Sequence, residues 1–220
     1  MSVLLYKICL YFLLFLIYSF TGWLIEVLSG FTTSGKWINR GFLIGPIVPI
    51  WGCGAILITF ILKSSDGIFN LIVSSAFIGT ALEYFVNYIM EKLFKARWWD
   101  YSHLPFNING RVWLGSSALF GIGGLIIVKY SNPFLFNFLL SFDKKITLMV
   151  SFILFIIMAT DLIISFKIIK KLKISAYSLK KDYTEEISKK VNVILTDKSK
   201  SFSRLFKAFP DINFPFLQKK

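Results

Sequence analysis

Long, uninterrupted apolar runs restrict the fold of this chain more than any other feature of its sequence. A helix needs about 20 consecutive apolar residues to cross the hydrocarbon core of a bilayer. The runs do not alternate apolar with polar residues, which argues against a transmembrane β-barrel. We therefore predict an all-α, polytopic membrane helix bundle of about five transmembrane helices. The predicted spans are Leu4–Leu28, Phe42–Leu62, Ile68–Leu93, Val112–Tyr130 and Ile146–Phe166.

The composition supports the same class. Hydrophobic residues make up 55% of the 220 residues, and the mean hydropathy is +0.66, whereas soluble domains rarely carry apolar runs of this length. The first apolar run, Ile8–Leu28, is too long for the core of a signal peptide, so we expect it to remain as a helix. A further apolar stretch, Asn132–Phe142, has about half the spanning length. We expect it to be interfacial or re-entrant, with a sixth crossing as the alternative.

Charge divides the chain into a transmembrane domain, residues 1–166, and a basic tail, residues 167–220. The tail holds fourteen Lys or Arg against five Asp or Glu, within a chain of net charge +13. Because positive segments mark the cytoplasmic side, we expect a multi-pass protein of the cell membrane with a partly helical cytoplasmic tail. The tail can also attract anionic lipid headgroups. No nucleic-acid recognition motif accompanies the charge, and no nucleic-acid partner is expected.

Two segments of the tail have helical patterns. The first is Ala176–Leu195. In the second, apolar residues recur at helical spacing opposite basic ones, a pattern typical of an amphipathic helix lying on a membrane surface. The apolar set is Phe202, Leu205, Phe206 and Phe209, and the basic set is Lys200, Arg204 and Lys207.

The second apolar run is irregular at its start. Pro46 and Pro49 lack an amide donor and disfavour helix in the residue before them. We therefore expect a helix that is broken or begins late. Broken backbone at membrane depth is tolerated only where it is buried in protein or faces water. Such a break frames a binding site in many transporters; a kinked helix stabilised by its neighbours is the alternative.

Small residues are concentrated in the fourth run. Ser117 and Gly121 form a pair four residues apart, which allows two helices to approach closely. This pair predicts tight packing within the bundle, and a homodimer contact through the same two residues is the alternative.

Acidic residues inside predicted spans are the first candidates for function, because a charge in the bilayer is costly. Glu83 is the strongest, since Gly79 and Asn87 lie on the same helical face. Glu26 is nearer the end of its span, and for Asp161 we favour a structural or interfacial role. Either Glu26 and Glu83 pair with arginines to hold the bundle together, or they bind a substrate or a proton.

The segment from Arg97 to Arg111 is the second candidate. It is a compact polar and aromatic loop between two apolar runs. Trp and Tyr rings gather at membrane interfaces, but an anchor needs neither the arginines nor the asparagines, and arginine grips phosphate or carboxylate with two parallel hydrogen bonds. His103 is the only histidine and cannot form a histidine metal site. Cys9 and Cys53 lie in apolar runs, so no metal and no disulfide are expected.

Catalytic motifs are missing from the sequence. It contains no HExxH, no GxSxG and no GxxxxGK[ST]. We therefore assign no catalytic residue and no cofactor, and any ATPase that drives transport must be a separate chain.

Six short motifs follow one another in order along the first part of the chain: 20-FTGWLIE-26, 39-NRGFLIGP-46, 82-LEY-84, 97-RWWDYS-102, 104-LPFN-107 and 109-NGR-111. Taken together they resemble a known family, the permease-like ABC-transporter type IV membrane proteins of Gram-positive bacteria. The resemblance covers roughly Tyr18 to Tyr130. It implies a membrane protein with a role in transport, and it carries no established substrate or site residues.

The sequence thus supports three functional hypotheses. The first is a permease-like transport component that works with a separate ATPase. The second is an integral membrane enzyme acting on a lipid or lipid-linked substrate at the cytoplasmic interface, and the third is a membrane-embedded regulator or scaffold. The candidate substrate-binding residues, expected to converge at the cytoplasmic side, are Glu26, Arg40, Glu83, Asn87, Arg97, Asp100, Asn107, Asn109 and Arg111.

Overall fold

The computed structural model describes residues 3–182, 200–209 and 212, and these residues are mostly helical. A two-stranded antiparallel hairpin pairs Asn107–Ile108 (β1) with Val112–Trp113 (β2). The helices are α1 (Val3–Ser34), α2 (Pro49–Ile61), α3 (Ile68–Phe94), α4 (Leu114–Ile126), α5 (Asn132–Leu140), α6 (Lys144–Asp182) and α7 (Lys200–Ala208).

Four helical segments among the described residues are long and apolar enough to cross a membrane. They are Val3–Thr32, Ile68–Phe94, Leu114–Leu140 and Lys144–Ser175. All four carry exposed aromatic side chains, for example Phe20 (47% exposed), Phe77 (75%), Phe134 (70%) and Phe152 (66%). Apolar exposure on this scale marks a surface that a bilayer covers. The expected membrane helix bundle is confirmed, while the expected count of five spans is not.

The expectation for Asn132–Phe142 was wrong. Instead of a separate interfacial or re-entrant piece, α5 continues α4 through a π-helical turn, Ile127–Ser131, and the whole segment forms one long helix. Buried polar contacts hold the join: Tyr18 Oη donates to Asn132 Oδ1 (2.8 Å), and Asn132 Nδ2 donates to Thr59 Oγ1 (2.9 Å). These bonds satisfy an amide that hydrocarbon alone would leave unpaired.

The second apolar run is helical only from Pro49, as its prolines predicted. With 13 residues, α2 is about 20 Å long and is too short to cross a bilayer by itself. Pro49 lies in the first turn, where its missing amide removes no helical hydrogen bond. The residues before it, Gly41–Val48, are non-helical.

Helices α3 and α4 pack closely against each other. A Cβ atom on Gly121 would lie 2.8 Å from the Ile72 carbonyl oxygen, so only glycine allows this approach. Next to it, Thr80 Oγ1 donates to Ser117 Oγ (2.7 Å). Ser117 and Gly121 are therefore used for packing within the chain, as expected, and the alternative homodimer contact through them is not supported.

Both ends of the bundle are defined by contacts between distant segments. The Lys144 ammonium lies 5.6 Å from the centre of the Tyr6 ring, so α1 and α6 begin at the same end. At the other end, which we call the tail end, residues that follow α3 pack with the second half of α6 and with α7. The buried members of this tail-end cluster are Phe94, Ala96, Trp98, Ile169, Leu172, Phe202, Leu205 and Ile212.

The amphipathic pattern in the tail is helical, as predicted, but its position differs from the expectation. Phe202 and Leu205 of α7 are 2% and 0% exposed because they pack against the protein and not against a membrane surface. A protein surface that already offers Trp98 and Leu172 gives the same burial with closer packing. Of the other expected tail helix, Ala176–Leu195, the part up to Asp182 belongs to α6. The remainder lies outside the described residues.

Removal of the Asn132 side chain tests the join between α4 and α5. Asn132→Ala removes the acceptor of the Tyr18 hydroxyl and the amide donor to Thr59 Oγ1, which still donates to the Ala55 carbonyl, and we expect a loss of about 1 kcal/mol in unfolding free energy. The measurement is thermal unfolding in detergent. Asn137→Ala, at an exposed position of the same helix, is the control, and equal losses for the two variants would contradict the assignment.

Candidate functional site

Glu83 occupies the centre of the candidate site. Its residue is only 7% exposed, although it lies well inside a membrane-spanning helix. Its carboxylate accepts hydrogen bonds from Tyr101 Oη (3.2 Å) and Ser116 Oγ (3.1 Å). Glu83 therefore faces the protein interior, where neutral donors and not arginines bond it.

The loop after α3 reaches Glu83 because it folds back into the bundle. Lys95 ends α3 in the left-handed conformation, with φ 56°, and so turns the chain. Trp98 is then buried in the tail-end cluster, and Tyr101 points toward α3. A polar loop that sequence reasoning places at the membrane surface thus contributes a side chain to the interior.

Glu26 provides a second carboxylate from α1. It accepts a hydrogen bond from Trp51 Nε1 of α2 (2.8 Å). The indole reaches it because it packs directly on Gly22, where any side chain would collide with the ring. Glu26 also lies close enough to Glu83 for the two charges to interact. Helices α1, α2, α3 and α4 together hold these carboxylates.

Arg40 is a basic residue whose charge interacts with that of Glu26. It forms no ion pair with Glu26 within 4.0 Å among the described residues. The guanidinium packs against Gly30, and its buried Nε has no hydrogen-bond partner. A buried donor without a partner is costly, so Arg40 Nε is available to donate a hydrogen bond to a further acceptor.

Ion pairs with arginine do occur at the tail end, and two of them involve Glu91, which we did not propose as a site residue. Glu91 Oε2 lies 3.2 Å from Arg97 Nε and 2.9 Å from Arg111 Nη1. Arg111 Nη1 also donates to Asn87 Oδ1 (2.7 Å), and Asn87 Nδ2 donates to the Trp99 carbonyl oxygen (3.2 Å). These contacts fasten the loop to α3. The sequence pattern could have indicated Glu91, since it lies on the same helical face as Glu83 and Asn87 at a spacing of four residues.

The hairpin explains the two asparagines of the loop. Asn109 and Gly110 have φ of 54° and 67°, and the Arg111 amide donates to the Ile108 carbonyl (3.0 Å), the pattern of a type I′ turn. Asn109 Nδ2 also donates to Tyr84 Oη (3.0 Å). Asn107 bonds the Leu104 carbonyl (2.7 Å) and the Gly110 amide (2.9 Å). The contacts of both asparagines are therefore ones that shape the loop.

Asp100 also organises the loop. It accepts hydrogen bonds from the Ser102 amide (3.0 Å) and the Ser102 hydroxyl (2.5 Å), and it forms an ion pair with Arg97 (3.3 Å). Partial burial favours a higher pKa for Asp100, but the Ser102 hydrogen bonds and the Arg97 charge together outweigh it and lower the pKa below its usual value.

Side chains from distant parts of the chain satisfy the non-helical segment before α2. Asp161 of α6 accepts hydrogen bonds from the Ile44 amide (3.0 Å) and the Gly45 amide (2.7 Å), which agrees with the structural role that we expected for it. Arg204 of α7 donates to three carbonyl groups of the same segment. No local sequence pattern pointed to these partners, because they are more than 100 residues away from the segment.

The buried carboxylate of Glu83 and the half-buried one of Glu26, each beside an aromatic donor, can hold a proton or bind a cationic group, because an ionised carboxylate offers about four acceptor positions. Among the described residues, no group of three or more His, Cys, Asp and Glu is arranged to hold a metal ion.

The fold and the site define a class: a polytopic helical membrane protein with a polar, carboxylate-containing interior. A family model described as "Putative ABC-transporter type IV" matches residues 13–166. This is well over half of the 220 residues, and the chain belongs to that family. The resemblance found from the motifs is thereby confirmed. No curated protein and no solved structure matches the chain.

Glu91→Gln tests whether the ion pairs fasten the loop. The substitution removes the shared partner of Arg97 and Arg111, and we expect a loss of about 2 kcal/mol, between the values for exposed and buried pairs. Thermal unfolding measures the loss, and proteolysis within the loop measures its detachment. His103→Gln, an exposed change in the same loop, is the control. An unchanged proteolysis rate in the Glu91 variant would refute the assignment.

Asp100 gives a prediction for the pH dependence of stability. Because its pKa is lower in the folded protein, its contribution is complete above the unfolded pKa of about 3.9 and is lost as the pH falls through the folded value. Asp100→Asn should therefore remove part of the stability loss below about pH 4. The unfolding temperature measured against pH tests this, and equal slopes for both proteins in the acid range would contradict it.

Proposed function

We propose that this chain is the membrane-embedded, permease-like subunit of a transport system whose ATPase is a separate chain. The observation that carries the proposal is the pair of carboxylates, Glu26 and Glu83, held in the interior of the bundle by Trp51, Tyr101 and Ser116. Buried ionisable groups in a membrane protein are expensive and mark pathways for substrates or protons. The family name supports a transport role.

Topology supports the proposal. Helix α2 leads from the tail end toward the opposite end, and α3 returns to the tail end, where Phe94 packs with Leu172. We propose five crossings, of which the second combines α2 with the non-helical segment Gly41–Val48. The tail end is then cytoplasmic, because it carries the larger number of basic residues. The described ones there are Lys36, Arg40, Lys92, Lys95, Arg97, Arg111, Lys167, Lys170, Lys171, Lys173, Lys200, Arg204 and Lys207.

The nine candidate residues divide into two roles in this proposal. Glu26 and Glu83 bind the transported group, and the buried, unpaired Nε of Arg40 offers a nearby donor. The other residues position the loop that brings Tyr101 to Glu83. These positioning residues are Asn87, Arg97, Asp100, Asn107, Asn109 and Arg111.

The partner ATPase is tested by purification of the tagged chain from its native membrane after mild cross-linking. We expect a second chain with a Walker A sequence, identified by mass spectrometry, and ATP hydrolysis by the eluate that vanadate inhibits. A tagged membrane protein unrelated to transport serves as the control for both readouts. A preparation without any ATPase chain and without ATP hydrolysis would refute the proposed partner.

Glu83→Gln tests the site. The amide keeps the size of the side chain and one of the two acceptor oxygens, and its NH2 group can donate to the hydroxyl that loses its acceptor, but it cannot carry charge. We expect the substitution to lower the transport rate at least about tenfold, the size of effect that the loss of one charge-assisted contact gives. Membrane insertion and the unfolding temperature should change little.

The readout for this variant is a comparison of small molecules inside and outside cells that lack the chain and are complemented with each variant. Wild type and Asp66→Asn should restore the same solute distribution, because Asp66 is a half-buried carboxylate just before α3 and the asparagine keeps an oxygen that can accept from the Lys63 amide. Glu83→Gln and Glu26→Gln should not. Full restoration by both glutamine variants would refute the site. A loss of folded protein would instead favour a structural role for Glu83.

A further inference from the structure

Arg204 of the tail helix grips the backbone at the start of the second apolar run. Its Nη1 donates to the carbonyl oxygens of Gly41 (3.2 Å) and Leu43 (2.9 Å), and its Nη2 donates to that of Phe42 (3.3 Å). Three consecutive carbonyl groups thus converge on one guanidinium. Carbonyl oxygens in this arrangement form a cradle for a cation, and we refer to them as the carbonyl cradle.

The amide groups of the same segment bind a negatively charged side chain. Asp161 accepts hydrogen bonds from the amides of Ile44 and Gly45, the two residues that follow the carbonyl cradle. The charges of Asp161 and Arg204 also attract each other. One carboxylate and one guanidinium, from two different helices, therefore bond one backbone group in each of five successive residues.

The position of Arg204 depends on the docking of its helix. Phe202 and Leu205, on either side of it, are buried in the tail-end cluster with Trp98 and Leu172. Lys207 of the same helix is exposed. The apolar face thus fixes α7 on the protein, and the basic residue between the two anchors enters the carbonyl cradle.

We infer that α7 is a latch within the chain, whose Arg204 is the tethered guanidinium occupant of a cation site made by the carbonyl oxygens of Gly41, Phe42 and Leu43. While α7 is docked, the backbone that precedes α2 is fixed and inaccessible. Undocking of α7 leaves three carbonyl groups without their donor, and this segment of the membrane domain becomes free to move. The inference does not depend on the proposed transport role.

The test follows access to Leu43, whose side chain is fully buried. A single thiol is introduced by Leu43→Cys in a background in which Cys9 and Cys53 are replaced by Ala. The purified full-length protein is treated in detergent with a polar maleimide, and the labelling rate is measured. Arg204→Ala should raise the rate about tenfold, because it removes hydrogen bonds from a charged donor. Lys207→Ala removes the same charge from the same helix and should leave the rate unchanged.

Two further measurements separate the latch from a general loss of structure. Phe202→Asp undocks α7 without altering Arg204 and should also raise the labelling rate. In the Arg204→Ala protein, millimolar guanidinium should slow labelling again, and the same concentration of sodium chloride should not. An unchanged rate in the Arg204→Ala protein, or an equal effect of the two salts, would overturn the inference.

Discussion

The need to satisfy every backbone polar group within a membrane shapes this protein. Helices meet that need by themselves, but the segment Gly41–Val48 does not form one. Its amide and carbonyl groups are bonded instead by Asp161, Arg204 and Asn39, and the Val48 amide donates to the Ser19 carbonyl of α1. Because these partners come from separate helices, the broken segment ties α1, α6 and α7 together. A non-helical segment that would be costly in lipid is therefore the place where distant parts of the chain contact one another.

The sequence was informative wherever a local rule applied. Apolar run length predicted the four long membrane helices, and Pro46 and Pro49 predicted the late start of α2. The same rule failed at Asn132–Phe142, because a π-helical turn with buried polar contacts carries the helix past the point where composition suggested an end. The length of an apolar run reflects hydrophobicity alone. It gives no sign that a neighbouring helix provides the hydrogen bonds that a polar side chain in the run needs.

The candidate site was only partly accessible from the sequence for a related reason. Glu83 and Asn87 were found because their spacing places them on one helical face, and their burial agrees with this. The donors to the carboxylates were not found, since Trp51, Tyr101 and Ser116 belong to other elements and reach them only through the packing of Gly22 and the inward fold of the loop. Arginines in the loop suggested pairs with Glu83, but the structure gives those pairs to Glu91, which is nearer the polar boundary.

This division of partners has a physical consequence. An arginine paired with a buried carboxylate fixes its charge, and removal of either partner strands the other at a cost of roughly 3–5 kcal/mol. Neutral donors such as a tyrosine hydroxyl or an indole bind more weakly, and they leave acceptor positions on the carboxylate open. The chain keeps its ion pairs at the tail end, where they hold the loop, and gives Glu26 and Glu83 neutral partners in the interior. Charge pairing thus supplies rigidity at the boundary, and in the function that we propose the neutral partners leave the two interior carboxylates able to exchange a proton or a bound cationic group.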